Sequence, residues 1–330
     1  KVVVTPRTGA APPLGASATT AVVTEGPPVN MAKPTVSAPQ ARDGQTFTAT
    51  TGTWVGTGTP DFEFQWQRCS NTGASCVAIP VANAQTYNAT SLDVGKTVRA
   101  VVTALTPYGT TVATSDPSPV VVAVRPEIVG SVAISGTQRD GQTVTATHTW
   151  SGTTPMQYGY QWSRCAVTCV DIAGATKGTY ALVQADVGAR MRVRVIATNV
   201  AGSQQADSGD DPLNPAVLAI APTRTGDPAI TGTAKEGATL TSTNGTFSGS
   251  APFTYAYEWL RCNADGLSCL PIGGATSATY ALTAADRGVT VRTRVTATNS
   301  GGSDSATSLP SAIVGLSAPS NTIAPAVTPA

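Results

Sequence analysis

Histidine is almost absent from this chain of 330 residues, since His148 is the only one. Histidine is the commonest general base and a frequent metal ligand. Its scarcity therefore argues against Ser–His–Asp or Cys–His catalysis and against a histidine-rich metal centre. The sequence also lacks a phosphate-binding loop, a paired-carboxylate signature and a nucleophile elbow. We expect no catalytic, cofactor-binding or metal-binding residues, and we predict that the protein is not an enzyme.

Charged residues are also few: they make up 12% of the chain, and the net charge is +1. Such a chain lacks the basic patch that binds nucleic acid or an anionic membrane surface. It has no apolar run of the length that a membrane-spanning helix needs, about 18 residues. We therefore expect no nucleic-acid partner and no membrane insertion.

An internal repeat organises what is present. Three tryptophans recur 96 and 97 residues apart, each 12 residues after another aromatic residue: Trp66, Trp162 and Trp259. In every repeat, a cysteine, a second cysteine, a tyrosine and an Asp-x-Gly sequence follow the tryptophan in the same order. A solenoid unit has only about 20–45 residues. We therefore predict that each repeat is a complete small domain.

Alternating apolar residues predict the fold of each repeat. Phe62, Phe64 and Trp66 alternate with polar residues, and equivalent triplets end at Trp162 and Trp259. A period of two places the three aromatic side chains on one face of a strand, so we expect the tryptophans in the core. Short strands separated by turns are typical of an all-β sandwich.

These patterns divide the chain into five segments. The three domains are predicted to span residues 34–125, 126–222 and 223–315. Residues 1–33 and 316–330 lie outside the repeats and are predicted to be extended terminal segments. We also expect Lys1 to be the start of a processed chain.

The repeats resemble the tandem immunoglobulin-like domains of bacterial secreted and cell-surface proteins. The likeness rests on the segments around each tryptophan, Gln65–Cys69, Gln161–Cys165 and Glu258–Cys262, and on the sequence Arg-Val-x-Ala-Thr-Asn at Arg194–Asn199 and Arg294–Asn299. It covers all three repeats and implies three tandem immunoglobulin-like β-sandwich domains in an extracellular or cell-surface setting. It says little about a ligand, because such repeats act as spacers, stalks or adhesive modules.

The sequence departs from the immunoglobulin pattern at its cysteines. The position of the second core cysteine holds Arg99, Arg192 or Arg292, so we expect no disulfide between the sheets. The six cysteines instead form one pair per repeat, with separations of 7, 4 and 7 residues: Cys69 and Cys76, Cys165 and Cys169, Cys262 and Cys269. Local disulfides are the simplest connectivity and would indicate an oxidising compartment. Metal binding is the alternative, which this spacing fits poorly.

Other recurring polar residues have structural and functional interpretations. The aspartates of the Asp-x-Gly sequences are Asp93, Asp186 and Asp286. They are interpreted as corner residues that bind nearby backbone N–H groups. Calcium binding at domain junctions is the alternative. The arginines beside the first cysteines are expected to cover the tryptophan through cation–π contacts: Arg68, Arg164 and Arg261. His148 has no histidine counterpart and is interpreted as a solvated strand residue.

We expect assembly to depend on the ends of the chain. Their β-branched runs are predicted to add a strand to the exposed sheet edge of a neighbouring subunit, which would build a head-to-tail polymer. The residues assigned to this role are Val2, Val3, Val4, Val22, Val23, Ile323 and Val327.

The sequence as a whole predicts a non-enzymatic extracellular structural protein. It would be a component of a fibre, sheath, surface layer or stalk. Its partners would be further copies of itself or other surface or virion proteins. One alternative is an adhesin or glycan-binding module, and a second is a phage virion fibre or decoration protein.

Overall fold

The described part of the chain is almost entirely β-structure. The computed structural model describes Val2–Val3 and Ser17–Ala18 as backbone, together with residues 25–209 and 215–316. Near the N-terminus, β1 (Val2–Val3) and β2 (Ser17–Ala18) pair in antiparallel fashion. Within the described ranges, none of the helices has the length and hydropathy of a membrane span.

Each sequence repeat contains the same nine strands. The strands of the first are β3 (Val29–Ala32), β4 (Val36–Ser37), β5 (Thr46–Ala49), β6 (Thr53–Val55), β7 (Asp61–Cys69), β8 (Val77–Ala78), β9 (Thr86–Asn88), β10 (Thr97–Thr106) and β11 (Gly109–Thr114). Those of the second are β12 (Glu127–Ile128), β13 (Ala133–Ser135), β14 (Thr143–Thr147), β15 (Trp150–Ser151), β16 (Gln157–Cys165), β17 (Cys169–Asp171), β18 (Thr179–Ala181), β19 (Arg190–Asn199) and β20 (Gly202–Asp207). Those of the third are β21 (Thr223–Gly226), β22 (Ile230–Thr231), β23 (Thr239–Ser242), β24 (Thr246–Ser248), β25 (Thr254–Cys262), β26 (Leu270–Pro271), β27 (Thr279–Ala281), β28 (Thr290–Asn299) and β29 (Gly302–Thr307).

The strand order is that of an immunoglobulin-like sandwich. In the first repeat one sheet has the order β11-β10-β7-β8, a second has the order β4-β5-β9, and β3 pairs with β6. The other two repeats contain the same three groups of strands. In this fold strands A, B and E lie in one sheet and strands C, F and G lie in the facing sheet. Here β4, β5 and β9 occupy positions A, B and E, and β7, β10 and β11 occupy positions C, F and G. The chain is therefore an all-β protein of tandem immunoglobulin-like repeats.

A short 3₁₀ turn forms one corner of each repeat, between the two sheets. The three turns are Ser91–Asp93, Gln184–Asp186 and Ala284–Asp286. Each ends at the aspartate of the Asp-x-Gly sequence, and the following glycine has a positive φ, which is +75° at Gly95. Glycine adopts this conformation without steric cost, which explains why it stands at this position.

The chain divides into two compact units. One comprises Lys1–Glu127, Trp150–Gln157 and Ala197–Gln204; the other comprises Ile128–Thr149, Tyr158–Ile196 and Gln205–Ala330. The second sequence repeat supplies residues to both, so the predicted limits at 125/126 and 222/223 stay predictions. At the predicted limit 33/34, β3 lies inside the predicted terminal segment 1–33 but pairs with β6 of the first repeat.

The core of each repeat surrounds its tryptophan. Trp66 of β7 has no exposed surface and packs with Phe47, Val98, Ala100 and Val121 in the first unit. In the second unit, Trp162 and Trp259 are equally buried, and Trp259 packs with Leu240, Leu282, Val291 and Val314. The tryptophan N–H also donates to a backbone oxygen, Ala84 O at 2.9 Å in the first repeat. The bond offsets the cost of removing the indole N–H from water.

Candidate functional sites: corner carboxylate, disulfide hairpin and linker clamp

A fully buried carboxylate lies at the corner of every repeat. Asp93 has no exposed surface, and its Oδ1 accepts from Arg68 Nε at 2.6 Å. Its Oδ2 accepts from the Tyr87 hydroxyl at 2.7 Å and from the Thr90 N–H at 2.7 Å. The bond from Thr90 agrees with the predicted corner role. One side chain thus joins the tryptophan strand, β9 and the 3₁₀ turn.

The same network recurs in the second unit. Asp186 accepts from Arg164 at 2.7 Å, Tyr180 at 3.1 Å and the Val183 N–H at 2.8 Å. Asp286 accepts from the equivalent donors at 2.8, 2.9 and 2.7 Å: Arg261, Tyr280 and Thr283. Each tyrosine ring in turn packs against the core tryptophan of its repeat, with centroids 5.6, 5.8 and 5.5 Å apart.

These contacts correct the expected role of the recurring arginines. The sequence predicts a cation–π cover over the tryptophan, whereas the guanidinium groups of Arg68, Arg164 and Arg261 bind the buried aspartates. The physical reason is that a buried carboxylate needs a counter-charge and hydrogen-bond donors, and tyrosine already lies against the indole. Because both oxygens of each aspartate accept from protein donors, the network also accounts for these residues without calcium.

The network shifts the titration of its members. Burial alone raises the pKa of Asp93, but the bonds from Arg68, the Thr90 N–H and Tyr87 outweigh it, so the pKa lies below its ordinary value. Burial, and then the bond to Asp93, raise the pKa of Tyr87 from 10.0 to about 12. The folded state therefore favours the carboxylate together with the neutral phenol.

Removal of the charge on Asp93 should destabilise the first repeat. In the variant Asp93→Asn, the half-buried Arg68 loses its fully buried ionic partner. Breaking such a pair costs about 3 kcal/mol or more. The matched control is Asp116→Asn, because the Lys33–Asp116 pair has side chains 66% and 83% exposed and should contribute less than about 1 kcal/mol. Urea unfolding of both variants measures the difference, and equal losses would contradict the role assigned to Asp93.

The raised pKa of Tyr87 predicts an alkaline loss of stability. A group whose pKa is 10.0 unfolded and about 12 folded stabilises the protein below pH 10 and loses that contribution as the pH rises through 12. The variant Tyr87→Phe keeps the ring but loses the hydrogen bond, so at pH 7 it should be less stable by about 1 kcal/mol. Urea unfolding should show this difference shrinking from pH 10 to pH 12. A constant difference would contradict the prediction.

A disulfide closes the hairpin after the tryptophan strand in every repeat. The bonds are Cys69–Cys76, Cys165–Cys169 and Cys262–Cys269, and no free cysteine occurs among the described residues. In the first repeat the hairpin packs on the last segment of the domain: a Cβ at Gly73 would lie 2.6 Å from Pro117. Gly266 and Pro310 repeat this contact in the third. The bond thus fixes a loop that covers one end of the sandwich.

Removing one disulfide should lower stability by an amount that increases with the logarithm of the loop length. The chain-entropy model gives about 2.5 kcal/mol for the Cys69–Cys76 loop and about 2 kcal/mol for the shorter Cys165–Cys169 loop. Paired Cys→Ala variants, unfolded in urea, measure both losses. Alkylation of the native chain before and after reduction provides the control, and six reactive thiols before reduction would contradict the three bonds.

The single histidine belongs to an aromatic cluster. His148 Nε2 lies 3.1 Å from the Tyr160 hydroxyl, and its ring centroid is 4.7 Å from that of Tyr158. Burial lowers the pKa of His148. The third repeat has an analogous bond from Tyr257 to Asn244, so the position pairs with a tyrosine on the neighbouring strand. His148 is thus half-buried rather than solvated, and its contacts are structural.

An asparagine side chain, not foreseen from the sequence, binds the segment before each of the last two repeats. We call each set of contacts a linker clamp: one consists of Asn199 with Val124 and Thr153, and the other of Asn299 with Ile220 and Ser250. The Asn299 amide donates to Ile220 O and Ser250 O, both at 2.7 Å, and Asn199 makes the matching bonds at 2.7 and 2.8 Å. The available signal was the recurrence of Asn199 and Asn299 at the same turn. The first repeat has Thr106 there.

A second set of contacts, which we call the corner–turn joint, links the corner of the second repeat to the turn after β24, inside the second unit. Gln184 Nε2 donates to Ala251 O, and Ser250 Oγ to Asp140 Oδ2, both at 2.5 Å. A cavity of about 480 Å³ lies beside these bonds, and its lining includes Val187 and Ala219. In the first unit, Thr154 Oγ1 lies 3.4 Å from Ser91 Oγ at the equivalent positions.

The structure describes only part of the predicted assembly residues. The backbones of Val2 and Val3 pair with Ala18 and Ser17. The other five lie outside the described residues: Val4, Val22, Val23, Ile323 and Val327. Their role in assembly stays a prediction. Within residues 25–209 and 215–316, no three His, Cys, Asp or Glu side chains are grouped so that they could hold a metal ion.

Comparison with known proteins gives matches only among solved structures. No protein-family model matches the chain, and no curated protein does. Domains A168-A170 of titin are 16% identical at a TM-score of 0.30, over 87% of this chain and 98% of that one. Extracellular domains 3-5 of Drosophila OTK are 14% identical at 0.31, over 89% and 100%.

A third similar structure comes from a virus. The three N-terminal domains of the bacteriophage RB49 Highly Immunogenic Outer Capsid protein are 15% identical at a TM-score of 0.26, over 84% of this chain and 98% of that one. Likenesses at these TM-scores carry no argument about function. The immunoglobulin-like assignment therefore rests on the strand order within this chain.

Proposed function

We propose that this chain is a non-enzymatic structural protein that acts outside the cell, as a component of a fibre, sheath, surface layer or stalk. One observation carries the proposal: the reactive and ionisable side chains that recur in the repeats make structural contacts. In every repeat the cysteines form a local disulfide, and the arginine, tyrosine and aspartate form one buried network. Groups used in this way support a mechanical role.

The disulfides also support the extracellular setting. Disulfides form and persist in oxidising compartments and are rare in the cytosol. A local bond in each repeat lets a sandwich resist unfolding and proteolysis outside the cell. The partners would be further copies of the chain, or other surface or virion proteins.

Assembly is proposed to depend on the terminal segments and on contacts between repeats. Residues 1–24 and 317–330 carry the β-branched runs that could extend a neighbouring sheet edge. Open edges accept such strands through main-chain hydrogen bonds.

Truncation tests this proposal. The full chain should form ordered filaments or lattices under the electron microscope and sediment as an oligomer. Deletion of residues 1–24 or 317–330 should abolish assembly, because it removes the added strand. Chains with the same residues in scrambled order serve as matched controls and should also fail to assemble. Assembly that persists in both deletions would overturn the terminal mechanism. A monomeric full chain that binds a glycan array would favour the adhesin instead.

A further inference from the structure

The side of the first repeat that lies between β8 and β9 carries a groove. β8 is an outer strand of one sheet, and β9 is an outer strand of the other. Two cavities, of about 280 and about 360 Å³, open there, and Arg68 lines both. We call this surface the edge groove and define it as Arg68, residues 77–84 and 86–88, Leu92 and Lys96. It therefore joins two sheet edges in one depression of the surface.

Strand β9 presents open main-chain groups to the edge groove. The Ala89 N–H donates to Gln45 O at 2.9 Å, beside β5, and successive residues of an antiparallel strand turn their main-chain groups to opposite sides. The N–H and C=O groups of Thr86 and Asn88 therefore point away from β5, and both residues line the larger cavity. An extended peptide can pair with an edge of this kind through main-chain hydrogen bonds.

Two exposed apolar side chains flank this edge. Val81 is 94% exposed and Leu92 is 72% exposed, and both line the larger cavity. Val81 also has a φ of +53°, in the left-handed region that a β-branched residue rarely adopts. Strained positions of this kind are concentrated at ligand contacts and other functional sites. Because neither the contact with water nor the backbone conformation favours valine, its presence indicates a contact with another molecule.

A positive charge lies in the smaller cavity of the edge groove. Lys96 lines this cavity, and it forms no ion pair with a carboxylate among residues 25–209 and 215–316. The charge of Arg68 is compensated by the buried carboxylate of Asp93. The groove therefore combines open main chain, apolar surface and one uncompensated positive charge, and it is complementary to a peptide that carries a carboxylate.

The apolar and basic lining of the edge groove is specific to the first repeat. Equivalent positions are fixed by the Asp-x-Gly corner and by a shared bond, in which the N–H of Ile79, Ile172 or Ile272 donates to the O of the core tryptophan. The residues that supply the apolar surface and the charge have a smaller or uncharged counterpart in both other repeats: Val81 has Gly174 and Gly274, Leu92 has Ala185 and Ala285, and Lys96 has Ala189 and Val289. The second repeat also has Asp171 in place of Ala78, which gives it a charge of the opposite sign. Such differences on one surface of a repeated scaffold indicate a binding surface that only this repeat has.

From these observations we propose that the edge groove binds an extended peptide segment of a partner protein, in which apolar side chains lie beside a carboxylate. The main chain of the peptide pairs with Thr86 and Asn88, an apolar side chain covers Val81 and Leu92, and the carboxylate pairs with Lys96. A second copy of the chain is not the occupant, because a twofold contact joins identical surfaces and would place each Lys96 against an equally positive groove. The edge groove lies outside the terminal segments, so this inference does not depend on the proposed mechanism of assembly.

The test uses the full chain and fluorescently labelled decapeptides as probes. Threonine and valine alternate over eight residues of each peptide, and two aspartates stand at either the N-terminal or the C-terminal end. Matched peptides carry two lysines in place of the aspartates. Fluorescence anisotropy should show that an aspartate peptide binds at least about tenfold more tightly than its lysine counterpart. Added salt should weaken that binding, because it screens exposed charges.

Variants decide whether this binding uses the edge groove. The triple variant Val81→Gly, Leu92→Ala, Lys96→Ala installs the residues that the second repeat has at these positions, so it should unfold in urea at the same concentration as the parent chain or a higher one. It should bind the aspartate peptide at least about tenfold more weakly. The matched control, Lys177→Ala with Leu309→Ala, removes an exposed lysine and an exposed leucine from the other repeats and should leave the affinity unchanged.

The inference fails if neither aspartate peptide binds, if the lysine peptides bind equally well, or if the triple variant keeps the affinity of the parent chain. It also fails if sedimentation shows a dimer of the full chain that the triple variant dissolves, because a second copy would then occupy the groove.

Discussion

The structure depends on one electrostatic constraint, a fully buried carboxylate at each sandwich corner. Asp93, Asp186 and Asp286 have no exposed surface, and a buried charge is tolerated only when it is paired and hydrogen-bonded. Satisfying it requires an arginine from the tryptophan strand, a tyrosine from the strand of the opposite sheet and a backbone N–H before the 3₁₀ turn. The carboxylate thereby fixes the separation of the two sheets. It also places the tyrosine ring against the core tryptophan.

Features that depend on local spacing were predictable from the sequence. Alternation identified the tryptophan strand, and the positions of Cys165 and Cys169 identified a local bond that survives a shortened loop. Arg164 and Asp186 also recurred visibly, but their mutual contact spans 22 residues, and periodicity cannot reveal which of several recurring groups meet. The cation–π prediction was wrong for this reason: it considered the tryptophan face alone and not the need of the buried carboxylate.

The linker clamp and the position of β3 show a different limit. The bonds of Asn199 and Asn299 run to backbone oxygens of residues 46–79 positions away, and such acceptors have no signature in the side-chain sequence. Strand β3, the first of its repeat, has only four residues and pairs with β6, which has three. A segment this short, rich in proline on both sides, looks like linker until its partner is known.

The few charged side chains of this chain are used mainly in pairs within one repeat. With few ionisable groups, most of those that recur have a defined partner inside their own repeat, as do Arg68 and Asp93. The long strands also carry ion pairs of this kind. Arg192 and Arg194 share Asp207, and Arg294 pairs with Glu258. Pairs confined to one repeat let a sandwich be copied along a chain without new complementarity to its neighbours.

The shortness of the disulfide loops bears on how such a chain reaches its native state. Six cysteines allow 15 pairings, and repeats of the same fold in one chain invite exchange of strands between neighbours. Partners separated by only four or seven residues meet far more often than cysteines in different repeats, because loop closure becomes less probable with length. Each hairpin can therefore oxidise correctly as it emerges, before its domain is complete. Fidelity of oxidation is thus a local property that does not decline as repeats are added.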